Sequence, residues 1–194
     1  MLIVRDKILA DKLRLLRAFG VDRTHGARKI PGMYDTVALG LNYRMSEVHA
    51  AIGLEQLKKL PQFLETRKRN FRRMSEILKG NAAFEILPQV ETDEISSGYY
   101  CMGLVLCPDI MDRRSQIISR LTEKGVGTSI YYPNPVPRMT YYRSQMRTLP
   151  DDFPVASSLS DSMIAIPVGP HIDKEDCDFI GKAVLSAIYE VSPG

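Results

Sequence analysis

Residues 40 to 60 read Gly40-Leu41-Asn42-Tyr43-Arg44-Met45-Ser46-Glu47-Val48-His49-Ala50-Ala51-Ile52-Gly53-Leu54-Glu55-Gln56-Leu57-Lys58-Lys59-Leu60, a glycine-and-polar approach that runs into an apolar pattern. Met45, Val48, Ile52 and Leu57, with Ala51 and Leu54 beside them, recur at spacings of three to five and predict a helix with one apolar stripe. Ser46 is suited to cap it, because its hydroxyl can accept from an orphan amide of the first turn. Asn42 and Arg44 then stand at the mouth of a helix, where backbone N–H groups and the macrodipole favour an anion. That makes them a candidate phosphate-binding pair. The alternative is that they are ordinary turn and surface residues, which asparagine and arginine before a helix commonly are.

Outward from this stretch, the composition bounds what the rest can be. The chain has 194 residues, 44% hydrophobic and 25% charged, with no repeat and no low-complexity run, as expected of one ordinary domain or one and a fraction. No apolar run approaches the roughly 18 to 20 residues that span a bilayer, and the start is too short and too soon charged for a signal peptide, so a cytoplasmic protein is expected. The cysteines number three, which argues against a disulfide framework. Cys101 and Cys107 lie too far apart along an extended segment, at about 3.3 Å per residue, to bond. Cys177, His25, His49 and His171 show no metal-ligand spacing, so no metal site is expected.

The net charge is +3, but Lys58, Lys59, Arg67, Lys68, Arg69, Arg72 and Arg73 fall close together. Phe63, Leu64, Phe71, Met74, Ile77 and Leu78 interleave with them at helical spacing, so the cations read as the solvated face of an amphipathic helix, not a nucleic-acid patch.

In chain order, residues 1 to 5 read as the end of a buried strand, and Asp6 as the cap of a helix with Ile8, Leu9, Leu13, Leu16 and Phe19 inward and Gly20 closing it. Residues 21 to 39, with Arg23, His25, Gly26, Arg28, Lys29, Pro31, Gly32 and Asp35, show no period and read as a long loop. Pro61 is expected to kink the helix from Ser46 or to start a second one ended by Gly80. Strands are expected at Phe84–Leu87, Tyr99–Cys107, Gly127–Tyr132 and Ile164–Pro167. Helices are expected from Asp109 to Gly125, over Phe153–Leu159, and after Asp173 with Phe179, Ile180, Val184, Leu185 and Ile188 inward. The three prolines at 133, 135 and 137 predict a rigid extended loop. Together these give an α+β class, a small antiparallel or mixed sheet covered by helices on one face.

Gly40-x-Asn42-Tyr43-Arg44-Met45-Ser46-Glu47 followed by Ala50-Ala51-Ile52-Gly53-Leu54-x-Gln56-Leu57 closely resembles a stretch of the DegT/DnrJ/EryC1/StrS family of pyridoxal-phosphate aminotransferases, which act mostly on nucleotide-linked sugars. Residues 6 to 20 resemble the family's helix after the cofactor lysine. Gly125-Val126-Gly127-Thr128 with Tyr132-Pro133-x-Pro135-Val136 resembles its strand and loop near the substrate, and Ile166-Pro167 its closing strand. Pro137 stands where the family often has a histidine, and proline cannot supply that side chain's hydrogen bonds.

The resemblance implies the C-terminal part of a fold-type-I aminotransferase: residues 1–40 as a remnant of the large cofactor domain with an active-site loop, and 41–194 as linking helices and the small domain. It implies that Asn42 reaches the cofactor phosphate across a dimer interface and that Arg44, Tyr34 and Tyr132 contact substrate. It also implies pyridoxal 5'-phosphate as cofactor, an amino donor such as glutamate, and a homodimer or complementary N-terminal half as partner. In the family the Schiff-base lysine precedes the helix that begins here after Asp6, so no residue of this chain is expected to be catalytic and the chain is expected to be inactive alone. A gene start placed too late, a split gene, or a non-catalytic binding or regulatory module built on the small domain each fit that expectation.

Overall fold

A computed structural model describes residues 2–22, 30, 32–149 and 152–192. They fall into two compact units, residues 1–58 and 59–194.

The first unit is built on a backbone crossing. Asp6 caps α1 (Lys7–Leu16) by accepting from Leu9 N at 2.8 Å, and Asp11 holds Lys7 and Arg14 on its surface at 2.6 and 2.8 Å. The chain reverses through Phe19 and Gly20, both at positive φ, and the 35–43 segment returns antiparallel to 16–22. Phe19 N donates to Leu41 O (3.1 Å), Leu41 N to Leu16 O (2.7 Å) and Tyr43 N to Arg17 O (2.9 Å). The two chains approach so closely that a Cβ on Gly40 would lie 2.1 Å from Gly20 N, and one on Gly20 would lie 1.8 Å from Ala38 O. Only glycine fits there, because a side chain would meet rigid backbone.

α2 (Glu47–Leu78) then runs 32 residues with Pro61 inside it. A second helix does not begin there: proline removes one interior N–H, and the helix continues on the bonds to either side.

The second unit holds the core. β1 (Phe84–Ile86), β2 (Met102–Leu106) and β3 (Met163–Ile166) form an antiparallel sheet in the order β1-β2-β3, with Phe84 opposite Leu106 and Met102 opposite Ile166. Met74 and Leu78 of α2, Ile117 and Leu121 of α3 (Arg114–Glu123), and Val184 and Ile188 of α6 (Lys174–Val191) close on it, all at most 4% exposed. α4 (Thr140–Met146) and α5 (Pro154–Ser162) complete the helices among the described residues. All four residues of β3 are buried, so both its faces are covered, beyond the single face expected. Asp173 and Asp176 form a reciprocal capping box at the start of α6.

Several sequence expectations fail for identifiable reasons. Leu2 to Arg5 pair with no strand among the described residues, and Ile3 is 86% exposed; Met1 lies outside those residues. The inward face expected of α1 is not buried: Leu13 and Leu16 are half-buried and Ile8 is exposed. β2 starts at Met102 instead of Tyr99, because Tyr99 sits at φ 42 and cannot continue a strand. Asp109 caps nothing; a 3-10 turn at Met111–Arg113 intervenes before α3. The strand expected over Gly127–Tyr132 is one bridge, Ser129 with Ala165. The proline loop is not extended throughout, since Val136–Arg138 forms a 3-10 turn. Phe179 faces outward at 55% exposure. α4 had no counterpart in the sequence reading. The loop expectation at Arg23, His25, Gly26, Arg28, Lys29 and Pro31 lies outside the described residues.

Candidate functional site

At the mouth of α2 the hydroxyl of Ser46 accepts from His49 N (3.3 Å) and lies 2.7 Å from His49 Nδ1, so it caps the helix as expected. Asn42 is fixed four residues earlier by its bridge to Ala18. Arg44 Nε donates to Asn42 Oδ1 at 3.4 Å, and the Arg44 guanidinium lies over the Phe19 ring, 5.1 Å from its centre. The structure therefore brings Asn42 and Arg44 together. Because a guanidinium only donates, it occupies the amide oxygen and leaves Asn42 Nδ2, a neutral donor, without a partner among the described residues. Tyr34 lies on the same unit, in the segment whose Thr36 bridges Val21, and is exposed.

Tyr132 belongs to the second unit. Its ring is exposed and sits 5.5 Å from that of Tyr131. The proline loop that follows is tied down on its own side: Pro137 O accepts from Thr148 Oγ1 at 3.0 Å, and Arg138 grips both oxygens of Asp161 at 3.0 and 2.9 Å. At Pro137 and Arg138, where the resembled family often has a histidine, the chain has an internal clamp.

The second unit also carries a cleft of about 550 Å³, lined among others by Arg67, Tyr100, Cys101, Ser129, Tyr131 and His171. Asn70, one turn after Arg67 on α2, is buried and donates from Nδ2 to Gly169 O (3.1 Å) and Ile172 O (2.9 Å), which fixes the turn bearing His171. A hydrogen bond to Tyr131 raises the Tyr100 pKa, and burial pushes the Cys101 thiol up. Sequence reasoning missed this cleft. It treated Arg67 as one of a solvated row, and the residues that face it are 33 to 104 positions later in the chain. The row is also less solvated than expected: Lys68 pairs with Glu91 (2.7 Å) and Arg73 with Asp178 (2.5 Å). Among the described residues no cluster of His, Cys, Asp and Glu has the form of a metal site, and no helix is long and apolar enough to cross a membrane.

The chain is similar to known proteins over nearly its whole length. A transaminase of Campylobacter jejuni that acts on UDP-4-amino-4,6-dideoxy-N-acetyl-beta-L-altrosamine, by its name, is 25% identical over 186 residues, covering 96% of this chain and 47% of the relative. The spore coat polysaccharide biosynthesis protein SpsC of Bacillus subtilis is 28% identical, covering 97% and 49%. Among solved structures, PseC of Helicobacter pylori, an aminotransferase of pseudaminic acid biosynthesis, superposes with a TM-score of 0.85 at 22% identity over 96% of this chain and 48% of that one. A putative sugar aminotransferase of Streptococcus pneumoniae in its PMP-form gives 0.86 at 20% identity, covering 97% and 47%. These two show a shared fold. The chain spans about half the length of the relatives it matches. The DegT/DnrJ/EryC1/StrS aminotransferase family model matches residues 1–185, and the chain belongs to that family.

Proposed function

We propose that the chain is the C-terminal portion of a pyridoxal-phosphate-dependent aminotransferase acting on a nucleotide-linked keto-sugar, with glutamate or a similar amino acid as donor. The observation that carries this reading is the Asn42–Arg44 arrangement within a chain that matches a sugar-aminotransferase family over residues 1–185. When bound, pyridoxal phosphate supplies the electron sink for transfer of the amino group. This chain supplies the far end of that site. The free Nδ2 of Asn42 donates to the cofactor phosphate without adding a charge that desolvation would penalise. Arg44 presents its terminal nitrogens to the diphosphate of the substrate, for which its fork geometry is suited. The resemblance gives substrate contacts to Tyr34 and, in the second unit, to Tyr132.

The lysine that holds the cofactor comes from a preceding segment or a second polypeptide, and the 194 residues alone do not turn over. The partner that completes the site is a second copy or a complementary N-terminal half. Support for such a partner is the exposure of Val48, Ile52, Leu54 and Leu57 along α2, an apolar stripe that nothing within the first unit covers. The self-contained core of the second unit favours one other reading, a non-catalytic binding or regulatory module.

One reconstitution separates the two. The chain is combined with an N-terminal half carrying the cofactor lysine, and pyridoxal phosphate is titrated into wild type and Asn42→Ala. A charge-assisted hydrogen bond is worth about 1.5 to 3 kcal/mol, so the variant binds the cofactor roughly tenfold to a hundredfold more weakly. Equal affinities remove the phosphate role from Asn42. Absence of any transaminase turnover in the reconstituted protein favours the module.

A further inference from the structure

The cleft of the second unit has a charge imbalance that the proposed function does not use. Lys68 and Arg73, neighbours of Arg67 on α2, are each paired with a carboxylate, but Arg67 pairs with none among the described residues, and no Asp or Glu lines the cleft. The Arg67 guanidinium is held loosely. Its centre is 6.0 Å from the Tyr100 ring, Nη1 reaches only Gly98 O at 3.5 Å, and Nε is shut from solvent with no hydrogen-bond partner. An arginine with a buried, unpartnered N–H is under-satisfied, and an anion that draws the guanidinium outward would relieve it.

The surroundings suit such an anion. Thr128, Ser129 and His171 bring donors toward the cleft from two other segments, and Asn70 fixes the turn that carries His171. Tyr100 and Tyr131, with ring centres 5.9 Å apart, form an aromatic wall on which Tyr100 is 69% exposed. Ring surface that open in a concave site is free to take a flat apolar group.

We propose that this cleft is a phosphate-binding site, in which Arg67 receives the phosphate of a small monoester and the rings of Tyr100 and Tyr131 receive a flat apolar group attached to it. Donors arriving from several directions match the three terminal oxygens of a phosphate better than the two coplanar oxygens of a carboxylate.

The test uses the 194-residue chain and needs neither cofactor nor turnover, so it stands apart from the proposed function. Amide and arginine Nε–H signals are followed by NMR while inorganic phosphate, phenyl phosphate and benzoate are titrated at constant ionic strength. Phenyl phosphate binds at least tenfold more tightly than either of the others, with saturable shifts at Arg67, Tyr100, Thr128 and Gly169. Arg67→Gln weakens it at least tenfold, and Tyr100→Ala reduces it to the level of inorganic phosphate. The proposal is overturned if benzoate equals phenyl phosphate, if Arg67→Gln binds as wild type does, or if the wild-type shifts fall elsewhere. The wild-type mapping decides the matter even should Arg67→Gln fail to fold.

Discussion

The two ends of α2 belong to differently built regions. Before Lys58 the described residues bury no hydrophobic side chain: Val48, Ile52, Leu54 and Leu57 lie between 56% and 69% exposed, and order comes from main-chain bonds between 16–22 and 35–43. After Lys59 the same helix carries Phe71, Met74 and Leu78, each 8% exposed or less, into a core shared with three strands and α6. One helical pattern thus has two fates. An apolar stripe states that a face is suited to burial, and what covers it is decided by the rest of the assembly.

The sharpest way to break this comparison is to truncate a side chain in each half of α2. Met74→Ala removes a fully buried side chain and costs about 2 to 5 kcal/mol in urea unfolding. Ile52→Ala removes one that is 56% exposed and stays within about 0.5 kcal/mol of wild type. If the two cost the same in a sample that sediments as a monomer, the first half of α2 is buried by something in the chain, and the contrast fails.

A smaller effect sharpens the picture inside the second unit. Asn70 is a polar residue in an apolar helix face, and its single amide nitrogen satisfies two carbonyls from the 169–172 turn. Asn70→Ala leaves both carbonyls without that donor and costs about 1 to 3 kcal/mol. Hydrogen exchange at Ile172 should rise in the variant before the sheet opens. If the midpoint and the exchange are both unchanged, water replaces the amide and Asn70 does not fix the turn.

Much of the fold was legible because local chemistry specified it. Asp6, Ser46 and Asp173 mark helix starts by side-chain capping, and Gly80 and Gly125 mark turns at positive φ. What could not be read depended on distant partners. Tyr99 ends a strand pattern because its ring packs edge-on against Phe71 and its hydroxyl bonds to Glu91, and neither constraint is visible from its neighbours in sequence. Phe179 fits an inward spacing on α6 yet faces out, since position on a helix face does not say how wide the covered strip is. The candidate site divided in the same way. Asn42 and Arg44 are two residues apart and could be found by motif, but the cleft around Arg67 is assembled from four segments and had no local signature.

The smallest expected effect is electrostatic and joins α2 to α6. Arg73 donates to Asp178 at 2.5 Å, and that hydrogen bond holds the Asp178 carboxyl below its ordinary value of 3.8, with Lys182 and Lys174 adding to the shift and partial desolvation opposing it. A carboxyl whose pKa is depressed on folding contributes stability that is fully present above the unfolded value and is lost as pH falls through the folded one. The pair therefore contributes equally at pH 7 and pH 5, and its contribution declines only below about pH 4. Asp178→Asn removes the titration while keeping the shape. The urea midpoint of wild type should exceed that of the variant by a constant margin from pH 7 to pH 5, and the margin should shrink as pH drops to 2.5. Glu91 and Glu190, also depressed by their own partners, titrate in both proteins and cancel in the difference. A margin that stays level down to pH 2.5, or that grows, means that Asp178 is not held by Arg73 in solution.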